Sequence, residues 1–179
     1  IKNAISTTAI IAVTSGIFLL ITGLLIAKPI LEALDTPEDV IDLAVLYLRI
    51  YSLGMPFMMI YNFGAAILRS LGDTKRPFYS LVVAGAINVG LNLLLVIEFE
   101  MSVAGVAVAT VISNIVNAGI IVFFLTHEKG VFRLELKQLS ISKAELKKIL
   151  QIGVPAGIQG MVFSISNVFV LATINSFGS

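Results

Sequence analysis

The strongest constraint on this chain is a set of long stretches that contain no charged residue and no histidine. Five such stretches occur within the 179 residues, at 3–27, 50–68, 77–97, 101–126 and from 149 onward. A helix needs about 20 residues to cross the hydrocarbon core of a bilayer. Because lipid offers the backbone no hydrogen-bond partner, each stretch is predicted to be a transmembrane helix. The predicted fold class is an all-α membrane protein, a polytopic transmembrane helix bundle.

The composition excludes several other classes of protein. Hydrophobic residues make up 58% of the chain and charged residues 13%, and cysteine is absent, which rules out disulfides and thiolate metal sites. With one histidine, His127, we expect no metal site and no cofactor. No basic patch interleaved with aromatic residues is present, so nucleic acid is not an expected partner. No nucleophile-base set, paired carboxylates or phosphate loop is present, so we expect no catalytic residues and no enzyme.

The charged residues alternate in sign from one connection to the next. Basic residues dominate at Lys2, around Arg76 and in the segment 129–148, whereas the segments 32–42 and 98–100 are mainly acidic. Under the positive-inside rule the chain starts on the cytoplasmic side of a plasma or inner membrane and ends on the extracellular side. The chain begins with isoleucine and stops just after an apolar stretch, so we expect a fragment of a longer multi-pass protein.

Local signals predict where helices begin and bend. In the segment LDTPEDV, Thr36 is the predicted cap, Pro37 the first helical residue, and Asp39 the partner in a capping box. Gly54 and Pro56 interrupt the second apolar stretch, and proline removes a backbone hydrogen bond, so a kink is expected there.

A basic segment of intermediate polarity precedes the last apolar stretch. Ser142 and Glu145 form a second capping box, and apolar residues repeat at helical spacing between Lys143 and Leu150. This pattern predicts an amphipathic helix at the cytoplasmic membrane surface. It fits a hinge between two bundles and a simple surface helix equally well.

Polar residues form a stripe on each of two neighbouring predicted helices. The first carries Asn88 and Asn92, and the second carries Thr110, Ser113, Asn114 and Asn117. Residues four apart share one face of a helix. Such groups can join helices by hydrogen bonds. Their number on two helices joined by a short turn favours a polar cavity. The turn before them, which contains Arg69, Asp73, Lys75 and Arg76, is predicted to be structural.

Several segments in order resemble the multidrug and toxic compound extrusion (MATE) family of transporters. They are LGMPFMMIYNFGAAILRSLGDTKRP, INVGLN, AGVAVAT and GVPAGIQGMVFSISNVFVLATINSFGS. The resemblance implies two lobes of six helices, of which this chain would cover helices three to seven. Residues 1–126 would then belong to the first lobe, 127–150 would link the lobes, and 151–179 would open the second lobe.

The resemblance also implies a candidate site. Some family members hold a coupling cation or a proton relay at positions that match Asn88, Asn92 and Thr110, with an aspartate where this chain has Asn92. We add Asn114 to this cation and substrate cavity. Further residues expected to line the substrate cavity are Tyr51, Tyr61, Asn62, Gln159, Ser164 and Asn167.

The function implied is export of drugs or other organic compounds, often cationic, by antiport with sodium or protons. The expected partners are a small organic substrate, a coupling cation, the lipid bilayer and the remaining helices of the full-length chain. One alternative is a flippase for lipid-linked saccharides, but such flippases carry several basic residues in the cavity, and here only Arg49 approaches the membrane. A second alternative is a structural membrane subunit without transport, which predicts dry, fully packed polar stripes.

Overall fold

The computed structural model describes the backbone of residues 1–177 and the side chains of residues 1–167, 169 and 170. Within residues 1–177, six α-helices follow one another. They are α1 (Lys2–Ala33), α2 (Glu38–Leu53), α3 (Met55–Ser70), α4 (Lys75–Leu93), α5 (Ser102–Thr126) and α6 (Lys143–Phe177). A π-helical turn, Leu94–Glu98, extends α4, and two short 3₁₀ turns lie between α5 and α6.

The membrane-spanning helices agree with the five apolar stretches of the sequence. Within the described residues, four helices are long and apolar enough to span a bilayer, namely Lys2–Ala33, Lys75–Glu98, Ser102–Thr126 and Lys143–Asn167. The helices α2 and α3 pass the same test only as a pair bent by 43°, and taken as one broken span they give a fifth. The predicted polytopic helix bundle is confirmed.

The bend between α2 and α3 lies where the sequence predicts a kink. Gly54 separates the two helices, and Pro56 stands in the first turn of α3, where its missing N–H costs least. The backbone of Pro56 approaches α1 closely at Gly16, since a Cβ atom added at Gly16 would lie 2.5 Å from the Pro56 Cα. Gly64 likewise lets Ile121 of α5 pack against α3. The broken helix therefore packs between α1 and α5.

The predicted start of α2 is wrong by one position. The helix begins at Glu38, Pro37 precedes it with an extended ψ of 142°, and no side chain caps the helix. Pro37 occupies the N-cap position, so Thr36 stands one residue before it. The Thr36 N–H instead donates to the carbonyl oxygen of Leu31 at the end of α1, at 3.2 Å.

One end of the bundle, which we call the basic end, brings together the start of α1, the turn between α3 and α4, and the end of α5. Leu134, from the segment after α5, belongs to a buried cluster there with Ile5, Leu68, Ile121 and Leu125. Its N–H donates to the Leu125 carbonyl oxygen at 2.9 Å. These contacts hold the segment after α5 on the bundle.

Two further contacts attach this segment to the start of α1. The Lys2 Nζ lies 2.9 Å from the Glu135 Oε1. The Ser140 N–H donates to the Ser6 Oγ at 2.7 Å. Residues 1–140 accordingly form one compact unit, and residues 141–179 form a second.

The second unit contains α6, a single helix from Lys143 to Phe177 with Pro155 inside it. The sequence predicted an amphipathic surface helix between Lys143 and Leu150, whereas the structure joins those residues to the apolar stretch without a break. The residues between Lys143 and Leu150 therefore form the first turns of a longer helix, and Ser142 directly precedes it.

Candidate functional site

Asparagine side chains of α4 meet hydroxyl groups of α5 inside the bundle. The Asn92 Nδ2 donates to the Asn88 Oδ1 at 2.9 Å, one helical turn away. The Asn88 Nδ2 lies 3.3 Å from the Ser113 Oγ and 3.5 Å from the Thr110 Oγ1. We call Asn88, Asn92, Thr110 and Ser113 the amide site. Three of its members, Asn88, Asn92 and Thr110, are residues that the sequence placed in the cavity.

The amide site has one polar atom without a partner. Ser113 is buried, and the other three residues are partly buried. The Asn92 Oδ1 is the one buried side-chain polar atom among the described residues that has no hydrogen-bond partner. A buried acceptor without a partner is costly, and such groups in a folded protein call for an explanation. This oxygen can therefore still accept a hydrogen bond or ligate a cation.

The backbone next to Asn92 is irregular. The π-helical turn Leu94–Glu98 begins two residues after it. Short π-helical turns within α-helices occur frequently at functional sites, because the added residue shifts the side chains of one turn relative to the next. The irregularity is therefore a second local feature that marks this end of α4.

Asn114 lies apart from the amide site. Its Nδ2 atom points toward the break in the neighbouring helix, where a Cβ atom added at Gly54 would lie 3.1 Å from it. Successive residues of an α-helix point about 100° apart. Ser113 and Asn114 consequently face two different neighbours of α5.

The predicted lining residues of the broken helix have different surroundings. Tyr51 stacks on Tyr47, with ring centroids 5.9 Å apart and an angle of 17° between the ring planes. Tyr61 packs against the buried cluster at the basic end. Asn62 is exposed in this chain. Tyr51 and Tyr61 thus contact residues other than those of the amide site.

The predicted lining residues of the last helix belong to the second unit. All three lie on α6 and are exposed, namely Gln159, Ser164 and Asn167.

A buried serine was missed by the sequence analysis. Ser80 of α4 donates from its Oγ to the Asn117 Oδ1 of α5, and both side chains are buried. Ser80, Asn88 and Asn92 follow one another along α4 in multiples of four residues, so their spacing was the signal that could have found Ser80. The Ser80–Asn117 pair joins the same two helices as the amide site but has no hydrogen bond to it.

An ionic network closes the basic end. The Asp73 Oδ1 accepts hydrogen bonds from the N–H groups of Lys75 and Arg76, at 3.0 and 3.1 Å, and so caps the start of α4. The Arg76 guanidinium pairs with the Asp73 carboxylate and with the Glu128 Oε2, the latter at 2.6 Å. The same guanidinium lies 5.7 Å from the ring centroid of Phe124. The contacts support the predicted structural role of Asp73 and Arg76.

This network also shifts the titration of Asp73. Hydrogen bonds from Arg76 hold the pKa of the Asp73 carboxyl below its ordinary value of 3.8. The carboxylate is therefore charged throughout the physiological pH range.

The amide site offers only neutral ligands. Within the described residues, no group of three or more histidine, cysteine, aspartate or glutamate side chains is arranged to hold a metal ion. Amide and hydroxyl oxygens can bind a hard cation without supplying charge. The amide site can therefore form part of a cation site, and the negative charge of such a site must come from a residue outside these four.

Comparison with known proteins identifies the class and the family. The MatE family model matches residues 1–94. The chain is 32% identical to the "Probable multidrug resistance protein YoeA" of Bacillus subtilis (strain 168), a match that covers 100% of this chain and 40% of the relative.

Solved structures match as well. One described as MATE in the bent conformation superposes with a TM-score of 0.87 at 25% identity, covering 94% of this chain and 38% of that chain. A second structure is that of a MOP superfamily transporter from Pyrococcus furiosus Vc1, described as having a binding pocket of reverse polarity that suggests a different function. It superposes with a TM-score of 0.85 at 25% identity, and the match covers 94% of this chain and 37% of that chain.

The apolar helices and these matches define a multi-pass helical membrane protein. The chain belongs to the multidrug and toxic compound extrusion family. It spans about two fifths of the length of the curated relative named above.

Proposed function

We propose that the full-length protein exports organic compounds, many of them cationic, by antiport with a coupling ion. The observation that carries this proposal is the match along the whole chain to a relative named as a multidrug resistance protein. Residues 1–126 are part of the first lobe in this proposal, 127–150 link the lobes, and 151–179 open the second lobe. The lobes alternate between inward-open and outward-open arrangements around a site near the middle of the membrane.

The amide site is the proposed place of coupling. It lies between two membrane-spanning helices, and the unpaired Asn92 Oδ1 is available to a ligand. Because Asn88, Asn92 and Thr110 carry no charge, a carboxylate on a helix outside this chain must complete the site. A packed structural subunit would instead be expected to pair every buried acceptor.

The basic end is proposed to face the cytoplasm. It collects Lys2, Arg76 and the basic segment after α5, and the positive-inside rule assigns such a surface to the cytoplasmic side. The chain would then end on the extracellular side. A cysteine placed at Thr74 that reacts only with an external, membrane-impermeant reagent would refute this orientation.

Transport in proteoliposomes tests the proposed function. The full-length protein is reconstituted, and the movement of a fluorescent organic cation is followed under an imposed sodium gradient or an imposed pH gradient. We expect one gradient to drive transport against the concentration of the organic cation. Failure of both gradients, in vesicles shown to contain folded protein, would refute antiport. Movement of a lipid-linked saccharide under the same conditions would favour the flippase alternative.

A further inference from the structure

An apolar cavity lies beside the basic end, between α1, α3 and α5. It has a volume of about 270 Å³, and among the described residues that line it only Thr14 is polar. The Thr14 Oγ1 already donates to the Ile10 carbonyl oxygen at 2.8 Å, so its proton is not available to a ligand. A polar group placed in this cavity would lose its hydrogen bonds to water, whereas an apolar group would not. The cavity therefore suits an apolar ligand.

The segment after α5 forms one wall of this apolar cavity. Leu134, Leu136 and Leu139 line it. Leu134 is buried, but Leu136 and Leu139 are 56% and 39% exposed, so the cavity opens to its surroundings along this wall. An apolar chain that entered here would cover both exposed leucines and gain the free energy of removing their surface from water.

A second cavity adjoins the first, because Leu134 lines both. Its volume is about 200 Å³, and two cations, Lys2 and Arg133, line it together with the Glu135 carboxylate and several amide and hydroxyl groups. The Lys2 Nζ lies 2.9 Å from the Glu135 Oε1, so these two charges compensate each other. Arg133 supplies the remaining positive charge. We call this second space the polar cavity.

Helix α1 places the two cavities in line. Ser6 lines the polar cavity, and Ala9 and Val13 line the apolar cavity. Residues separated by three and by seven positions share one face of a helix. The helix rises 1.5 Å per residue, so Ser6 and Val13 are about 10 Å apart along its axis. A ligand with a polar end and an apolar chain can therefore contact both cavities from one side of α1.

The size of the apolar cavity distinguishes between two kinds of occupant. One turn of an α-helix, about 10 Å wide and 5.4 Å long, takes up roughly 420 Å³, so no helix of the full-length chain fits inside. An acyl chain is thinner and flexible. Basic pockets beside transmembrane helices bind anionic lipid headgroups. The positive charge of Arg133 therefore favours a lipid with an anionic headgroup over a zwitterionic one.

We propose that the basic end binds one anionic phospholipid, with part of an acyl chain in the apolar cavity and the phosphate against Arg133 in the polar cavity. The Ser6 Oγ accepts the Ser140 N–H at 2.7 Å and keeps its own proton to donate to that phosphate. The lipid then joins α1 to the segment after α5, as the pair of Lys2 and Glu135 does. The proposal goes beyond export and does not depend on it, because binding requires neither a substrate nor an ion gradient.

Thermal unfolding of the purified full-length protein in mixed micelles tests the proposal. Dioleoyl phosphatidylglycerol is the anionic probe, and dioleoyl phosphatidylcholine, which has the same chains and a zwitterionic headgroup, is the comparison. A ligand that binds the folded state raises the unfolding temperature as its concentration increases. We expect phosphatidylglycerol to reach half-saturation at a mole fraction about fivefold lower than phosphatidylcholine, the effect of one attraction between a cation and an anionic headgroup.

The headgroup variant is Arg133→Gln, and its matched control is Lys129→Gln. Both changes remove one positive charge from the segment after α5, but Lys129 lines neither the apolar nor the polar cavity. In Arg133→Gln we expect the half-saturating mole fraction of phosphatidylglycerol to rise about fivefold and to match that of phosphatidylcholine. In Lys129→Gln we expect it to stay at the parent value.

The acyl-chain variant is Val122→Phe, and its matched control is Val83→Phe. Val122 lines the apolar cavity, whereas Val83 is exposed on α4 and lines neither cavity. The phenylalanine ring takes the space of the acyl chain, and burial of two methylene groups corresponds to about tenfold in affinity. We therefore expect the half-saturating mole fraction of both lipids to rise at least tenfold in Val122→Phe alone. If Val122→Phe does not fold, the smaller change Ala9→Leu replaces it.

Three results would overturn the proposal. Equal half-saturating mole fractions of the two lipids in the parent protein would remove the headgroup site. Equal responses of Arg133→Gln and Lys129→Gln would reduce it to a general attraction of surface charge. An unchanged response in Val122→Phe, or in Ala9→Leu where that variant replaces it, would show that no acyl chain enters the cavity, as expected if a helix of the full-length chain covers it. A failure of antiport in proteoliposomes would refute only the proposed function and would leave these binding results unaffected.

Discussion

The close approach of α1 to the broken helix leads to a prediction whose size follows from the structure. A Cβ atom at Gly16 would lie 2.5 Å from the Cα atom of Pro56, whereas ordinary contact begins at 3.4 Å. The Gly16→Ala substitution must therefore move the two backbones apart by about 0.9 Å, the difference between those distances. The contact involves a backbone atom, so no side chain can rotate away to relieve it. Overpacking of this kind costs about 1–3 kcal/mol.

Alanine is also a better helix former than glycine, by about 1 kcal/mol, so a control must remove that contribution. Gly85 and Gly119 lie within helices, and a Cβ atom added at either one has no neighbour within 4 Å. Relative to Gly85→Ala and Gly119→Ala, we expect Gly16→Ala to lower the free energy of unfolding by the full overpacking cost, about 1–3 kcal/mol.

The assay is thermal unfolding of the full-length protein in detergent, followed by the loss of its monodisperse peak in size-exclusion chromatography. The two controls lie on different helices. If a helix from outside this chain packs against one of these two glycines, Gly85→Ala and Gly119→Ala will unfold at different temperatures, and that difference reveals the contact. If Gly16→Ala unfolds at the same temperature as both controls, the close packing of α1 on Pro56 is refuted.

Three further predictions concern the basic end and the amide site. Asp73→Asn keeps a capping oxygen but breaks the pair with Arg76, and we expect a loss of about 0.5–1 kcal/mol. Because the pKa of Asp73 is lowered in the folded state, the stability difference between the parent and Asp73→Asn should be present above pH 3.8 and disappear as the pH falls below that value. Unfolding curves of both proteins at several pH values measure it. Leu134→Ala should cost about 2–5 kcal/mol in the same assay, since Leu134 is 5% exposed within a buried cluster. The double change Asn88→Leu and Thr110→Val should leave a folded protein but abolish ion-dependent export in proteoliposomes, and normal ion-dependent export by that variant would refute the site.

The amide site was partly predictable because its signals are local. Asn88 and Asn92 are four residues apart, and any α-helix through them stacks the two side chains. The break at Gly54 and Pro56 was predictable for the same reason, since the missing N–H of proline acts on its own helix. Five long apolar stretches defined the spans without any knowledge of their packing.

The remaining features depend on contacts between distant residues. The choice of Ser113 over Asn114 as the partner of Asn88 depends on how α5 is rotated about its axis, and packing against α3 and α4 sets that rotation. Glu128 lies 52 residues from its partner Arg76, and no local pattern indicates that pairing. The cap predicted at Thr36 failed because a proline at the next position stayed outside the helix. Sequence patterns thus identified the polar residues but not how they are paired.

The position of α5 connects the two irregular features of the bundle. On one side, Asn114 and Val111 lie against the break at Gly54, where an added Cβ atom would be 3.1 Å from Asn114 and 3.4 Å from Val111. On another side, Ser113 holds the Asn88 amide. Ser113 and Asn114 are adjacent on one rigid helix, so a rotation of α5 that moved Asn114 away from the break would also change the distance between Ser113 and Asn88. The orientation of the amide site and the packing of the broken helix therefore cannot be altered independently of each other.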